Sequence, residues 1–177
     1  MRKLTHDEIA ESRIKLEEID TIKRLPLYAM ADNIRSLYNV GSMFRSSDGA
    51  MISKLFLTGF TPHPPRKEID KTALGATQTV PWEYYKNPLD AIAILKEQKI
   101  KICVLELTTQ SKPYFTTEKK DFPLCLVVGN EITGVSKEII QQADMAIEIP
   151  MFGYKQSLNV AVAYGIVLYD FVRILSE

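Results

Sequence analysis

The sequence predicts an α/β domain built on a parallel sheet, and three observations carry the prediction. Short apolar runs at 27–31, 54–58, 100–105, 122–128 and 146–149 read as strands. The segments between them carry helix-start signals, so strands alternate with helices, the pattern of a parallel sheet covered on both faces. Polar loops holding Gly and Pro follow the strands, which is where open α/β sheets carry their ligands.

In order along the chain, Thr5 with Glu8 forms a capping box, and Ile9, Ile14, Leu16, Ile19, Ile22 and Leu25 follow at mostly helical spacing. They predict an amphipathic helix over 5–24 that ends before Pro26. Residues 1–25 would pack as that helix on a single domain spanning 1–177, with Arg13, Lys15, Lys23 and Arg24 on its solvated face. A short strand at 27–31 leads through a polar crossing, 32–39, into a helix from about Asn39 to Gly49. The strand at 54–58 ends in a proline-stiffened loop, Thr61-Pro62-His63-Pro64-Pro65-Arg66.

A short helix over 68–75 closed by Gly75 precedes a peripheral strand over 80–85. Asn87-Pro88 sets an N-cap with proline at the first helical position, opening a helix to about Gln98. The strand at 100–105 is followed by a polar loop over 107–121, then by the most hydrophobic strand, 122–128, which stops at Gly129. Ser136 caps a helix to about Gln142, and the last strand ends at Ile149. Pro150 and Gly153 let the chain fold back to a final helix with Ser157 as its N-cap. Leu158, Val162, Ile166, Tyr169 and Val172 make one apolar face of that helix, while Val160, Ala161, Val167 and Leu168 leave little of the remainder wet. Such a helix is covered on two sides, by the core and by a partner subunit.

The 177 residues, 46% hydrophobic and 25% charged, suit one globular domain with a substantial core. With 22 basic and 22 acidic residues the formal charge is zero, so any nucleic-acid contact must be local. No apolar run approaches the roughly 20 residues that span a bilayer, and the N-terminus lacks an apolar signal core, so the expected location is the cytoplasm. Cys103 and Cys125 lie within apolar strands and read as buried reduced thiols. His6 and His63 have no ligand spacing to a cysteine or paired carboxylates, and no metal is expected.

Three polar stretches interrupt this pattern. In Asn39-Val40-Gly41-Ser42-Met43-Phe44-Arg45-Ser46-Ser47-Asp48, the side chains of Asn39, Ser42 and Arg45 fall on adjacent turns of one helical face. Arg45 there either clamps a phosphate or pairs with Asp48. Gly129-Asn130-Glu131-Ile132-Thr133-Gly134 lets backbone approach a ligand closely, but it is neither a Walker loop nor a dinucleotide GxGxxG, and it also reads as a plain strand-to-helix turn. In the third, Ile149-Pro150-Met151 through Ser157-Leu158-Asn159, the polar residues serve equally as helix-start chemistry.

Together, in this order, the three stretches resemble the motifs of the SpoU (TrmH) branch of the SPOUT superfamily, S-adenosylmethionine-dependent RNA 2'-O-ribose methyltransferases. The resemblance covers about residues 27–174. It implies a sheet whose C-terminal end is tied in a deep trefoil knot, an exception to the rule against threading. It implies that Leu105, Gly129, Ile149, Met151, Ser157 and Leu158 hold the methyl donor, largely through backbone groups. The family's catalytic positions match Asn39, Arg45, Glu131, Ser157 and Asn159, with Arg45 as phosphate anchor and possible proton relay. It implies a homodimer in which the last helix and the first motif of two subunits meet near the active site. The RNA-binding domain that some relatives carry before the knot is not expected here. The expected substrate is tRNA first and ribosomal RNA second, since the 2'-OH marks RNA and loops with splayed bases are its usual specific targets. The neutral charge leaves open a knotted RNA-binding or assembly module without catalysis, and a base methyltransferase of the same superfamily is a third reading.

Overall fold

The computed structural model describes every residue of 1–177 except Ser12, Arg13 and Asp20. Its centre is a sheet of seven strands whose neighbours all pair in parallel. In chain order these are β1 (Leu25–Asp32), β2 (Ile52–Thr58), β3 (Trp82–Tyr85), β4 (Lys101–Leu105), β5 (Lys112–Pro113), β6 (Leu124–Val128) and β7 (Met145–Glu148). The spatial order is β3-β2-β1-β6-β4-β7-β5. The most apolar strand, β6, therefore stands in the middle, with Leu126 opposite Ala29 on one side and Cys103 on the other. Every residue of β6 is buried because both faces of the sheet are covered.

The helices are α1 (His6–Glu11), α2 (Leu37–Gly49), α3 (Lys67–Ala73), α4 (Ala76–Thr79), α5 (Pro88–Glu97), α6 (Lys137–Ile140) and α7 (Val160–Ser176). Alternation along β1 sorts them into two layers. Leu27, Ala29 and Ala31 pack against apolar residues of α2, α3, α4 and α7, whereas Met30 joins the core shared with α5 and α6. The α2–α7 contact is tight: the Tyr164 hydroxyl and Ser47 Oγ are 2.7 Å apart in the buried interface. Cys103 and Cys125 are buried free thiols, and burial pushes both well above the ordinary thiol pKa. Because the strands run the same way, the loops after β1, β2, β4, β6 and β7 all open on one rim.

Several boundaries differ from the expectation. The helix expected over 5–24 is present as α1, which buries none of its residues, and Leu16–Glu18 form a separate 3₁₀ turn. Ser12, Arg13 and Asp20, which that expectation included, lie outside the described residues. The Thr5–Glu8 capping box forms, with Thr5 N–H donating to Glu8 at 2.8 Å and Glu8 N–H to Thr5 at 3.3 Å. An amphipathic pattern with no buried face leaves a helix of this length marginal, so a cap alone does not extend it. Arg24 is not on a solvated face: its guanidinium donates to the Ile52 and Thr79 carbonyls at 3.2 and 2.6 Å. α2 starts at Leu37, two residues before Asn39, because Ser36 is the cap and its Oγ accepts from Asn39 N–H at 3.3 Å. The helix expected to reach Gln142 ends at Ile140.

The N-cap of the final helix is Asn159, not Ser157. Its carboxamide oxygen accepts from Ala161 N–H at 2.9 Å and Val162 N–H at 3.3 Å, so the helix begins at Val160 and Ser157 is left in the preceding loop. The apolar residues of α7 divide into two stripes. Tyr164, Val167, Leu168, Phe171 and Ile174 are buried, whereas Val162, Ile166 and Tyr169 face outward, Val162 at 52% and Tyr169 at 51% exposure.

Candidate active site

A cleft of about 360 Å³ opens on the rim over β6, β4 and β7. Leu105 at the end of β4 and Glu106 after it, Gly129 to Ile132 and Gly134 after β6, and Ile149 and Met151 after β7 line it, together with Gln156 to Val160 at the approach to α7. All six residues expected to hold the donor, Leu105, Gly129, Ile149, Met151, Ser157 and Leu158, are among its walls.

Non-local hydrogen bonds fix these loops. In the turn after β6, Asn130 and Gly134 exchange backbone bonds of 3.0 and 2.9 Å, and the Asn130 side chain accepts from Ile132 and Thr133 N–H. Its amide also donates to the Asn33 carbonyl at 2.8 Å, tying the turn to the crossing after β1. Gly129 has no room for a side chain, since a Cβ there would stand 2.2 Å from the Gly134 carbonyl carbon and from Val135 N. Glu106 joins the loops after β4 and β6, its carboxylate accepting from Leu107 N–H and Val135 N–H, both at 2.9 Å. The buried Asp32 accepts from Ser136 N–H at 2.9 Å, and Ser136 precedes α6 without capping it through its own side chain.

A second network links the three polar stretches. The Glu131 carboxylate accepts from Arg35 N–H at 2.9 Å, Ser36 N–H at 3.1 Å and the Asn39 amide at 2.9 Å. Asn39 Oδ1 in turn accepts from the Asn159 amide at 3.1 Å. Partial burial by itself would raise the Glu131 carboxyl, but the donors from Arg35, its own backbone, Asn39 and Ser36 together outweigh it and hold the group below its ordinary pKa. Glu131, Asn39 and Asn159 thus form one chain from the turn after β6 to the start of α7. Ser157 and Asn159 line the cleft and are exposed to it.

Arg45 stands apart. It is exposed, makes no side-chain hydrogen bond or ion pair among the described residues, and does not line the cleft. Six residues beyond Asn39 on α2, it lies about 9 Å further along the helix axis. Asp48, its alternative partner, accepts instead from Thr79 Oγ1. Among the described residues no group of three His, Cys, Asp or Glu side chains is placed to hold a metal ion.

Sequence reasoning missed Glu106 and Asn130 as structural members of the site. Both act through partners 29 to 97 residues away. Position offers the available signal, a polar side chain in the first residues after a buried strand.

A parallel α/β sheet with a glycine-walled cleft on its C-terminal rim defines a ligand-binding enzyme scaffold. The chain belongs to the SpoU rRNA Methylase family, whose model matches residues 26–169. It is 33% identical over 167 residues to the tRNA (guanosine(18)-2'-O)-methyltransferase of Aquifex aeolicus, covering 93% of this chain and 78% of that protein. It is 27% identical to the 23S rRNA (guanosine-2'-O-)-methyltransferase RlmB of Neisseria meningitidis, covering 92% of this chain but 65% of that protein. The fold is similar to the crystal structure of the A. aeolicus TrmH/SpoU tRNA modifying enzyme, with a TM-score of 0.79 at 33% identity, covering 89% of this chain and 79% of that one. It is also similar to an AdoMet-bound rRNA methyltransferase from Sinorhizobium meliloti, with a TM-score of 0.77 at 28% identity, covering 88% of this chain and 59% of that one.

Proposed function

We propose that this protein is an S-adenosylmethionine-dependent methyltransferase that acts on a ribose 2'-OH of RNA, with tRNA as its substrate. The observation that carries the reading is the hydrogen-bonded chain Glu131–Asn39–Asn159, which joins all three motif segments beside the cleft. The relative of greatest identity named above is a tRNA enzyme and favours tRNA. Ribosomal RNA is the second reading, because the Neisseria relative is named for it.

The cleft residues fit the donor. Leu105, Ile149, Met151 and Leu158 offer an apolar wall, Gly129 lets backbone approach closely, and the carboxylates of Glu106 and Glu148 complement a cationic ligand. When bound, S-adenosylmethionine supplies a methyl group already activated on a sulfonium. The protein's work is to hold the ribose hydroxyl in line and to accept its proton. Asn159 and Ser157 orient the ribose at the mouth of the cleft, and Glu131 holds Asn39 and the start of α2 in register with them. Arg45 anchors a phosphate, the task that suits a guanidinium that stays protonated; as a relay it passes one of its own protons to solvent as it takes up that of the ribose hydroxyl.

Arg45 reaches the reaction across a homodimer. The outward stripe of α7 supports this reading: Val162, Ile166 and Tyr169 are exposed apolar residues on a helix whose start, Asn159, is bonded to α2. In that assembly the stripe is covered and the first motif of one subunit meets the cleft of the other. The deep trefoil knot belongs to the same reading, since the segment 149–159 leaves β7 near one edge of the sheet and returns to Asn39 beside its centre. The chain forms a single domain. No helix of the described residues is long and apolar enough to cross a membrane, and the proposed site of action is the cytoplasm.

Incubation with labelled S-adenosylmethionine and bulk tRNA or rRNA tests the proposal. Label is expected in nuclease-resistant dinucleotides from tRNA. Label from rRNA alone would move the substrate to the second reading, and no label from either would contradict the activity.

A further inference from the structure

The rim continues past the cleft, over β1 and β2, and carries an exposed aromatic residue on an unusually well-fixed loop. Phe60, the second residue after β2 and next to Gly59, is 61% exposed. Its backbone N–H donates to Asn33 Oδ1 at 3.1 Å, the Tyr84 hydroxyl donates to the Gly59 carbonyl at 2.7 Å, and Thr61 Oγ1 accepts from Ile34 N–H at 3.0 Å. The following His63 ring packs on Tyr84 and Trp82, with centroids 4.6 and 6.1 Å away. The loop is thus held to the same crossing, Asn33 to Ser36, whose far end Glu131 holds. Strands in a sheet are about 4.8 Å apart, so the end of β2 lies two spacings, roughly 10 Å, from the end of β6 and the mouth of the cleft.

The chain holds both paired and unpaired cations. Lys54, Lys101, Lys120 and Arg173 are in ion pairs with acidic side chains. Arg35 in the crossing and Arg66 at the end of the loop are exposed and have no side-chain partner among the described residues. Formal neutrality therefore hides local cations on this part of the rim. A rigid exposed aromatic flanked by unpaired arginines matches the chemistry of single-stranded nucleic acid, with bases stacking on the ring and phosphates meeting the guanidinium groups.

We propose that Phe60 is a stacking platform for an unpaired nucleobase next to the reacting ribose, with Arg35 and Arg66 taking the adjoining phosphates. This rests on the RNA methyltransferase reading and extends it: the preferred substrate presents the target ribose in a loop or bulge, with a neighbouring base splayed out. Because Phe60 is exposed, its loss leaves the core intact.

Steady-state methyl transfer to bulk unmodified tRNA, with calorimetric donor binding measured on the same preparations, separates the two levels. Phe60→Ala is expected to raise the KM for tRNA roughly ten-fold or more, with the donor Kd and Tm unchanged, and Phe60→Trp is expected to restore it. Arg35→Ala and Arg66→Ala are expected to flatten the salt dependence of tRNA binding by about 0.7 each in log–log slope. Phe115→Ala, an exposed aromatic between β5 and β6, serves as a control expected to change neither. A tRNA KM for Phe60→Ala within two-fold of wild type overturns the platform while leaving the activity standing. An inactive wild type that still binds tRNA more weakly after Phe60→Ala would instead keep the platform and remove the enzyme reading.

Discussion

Over β6, β4 and β7 the rim is made of backbone held by other parts of the chain, whereas over β1 and β2 it is made of exposed side chains. Gly129 is closed in by the backbone of Gly134 and Val135, and Glu106 ties two loops through their N–H groups. Over β1 and β2, Arg35, Phe60 and Arg66 stand in solvent with their reactive faces unpaired, as does Arg45 further along α2. The first half can grip a small ligand of fixed shape because its position is determined before the ligand arrives. The second can adapt to a long flexible polymer because each contact is a separate side chain. Donor binding and RNA binding should therefore fail separately, and substitutions in the two halves should leave different signatures.

The largest effect is expected at Gly129. A Cβ there meets only backbone, so Gly129→Ala must displace the turn after β6; about 3 kcal/mol of stability should be lost and calorimetry should find no donor binding. Arg45→Ala should do the opposite, cutting turnover about 100-fold while calorimetry finds the wild-type donor affinity; equal loss of both would merge the two halves. Ile166→Asp places a charge on the outward stripe of α7 and should shift sedimentation from dimer toward monomer, with specific activity falling in step; a wild type that is already monomeric at micromolar concentration would refute the shared site.

The smallest effect is expected at Glu131, which joins the halves. Replacing its carboxylate with the amide in Glu131→Gln leaves three donors poorly matched and should cost about 1–2 kcal/mol. The native carboxyl is held below its ordinary value, so its contribution is fully present above the unfolded glutamate pKa of about 4.3 and is lost as pH falls through the folded value. The Tm difference between wild type and Glu131→Gln should shrink on acidification below about pH 4, and a difference that grows would reverse the assigned sign.

The contrast also explains what the sequence made legible. Strands were readable because a two-sided buried sheet demands unbroken apolar runs, and β6 is both the most apolar run and the central strand. The walls of the cleft were readable through the resemblance, since they follow strand ends at positions that motif order fixes. Caps are harder to read, because Ser157 and Asn159 are both good N-cap residues and only the fold decides that Asn159 also meets Asn39. The N-terminal helix failed as a long element because periodicity states which face is apolar without stating that anything covers it. The place of Arg45 outside the cleft, and the stitching by Glu106 and Asn130, depend on contacts far apart in sequence, which no local pattern encodes.

Mapping 2'-O-methyl groups in RNA from cells with and without this protein tests the proposed activity most directly. The expected result is a small set of tRNA riboses that lose the methyl group when the protein is absent and regain it with the wild type but not with Arg45→Ala. A map unchanged by removal of the protein would contradict the proposed activity.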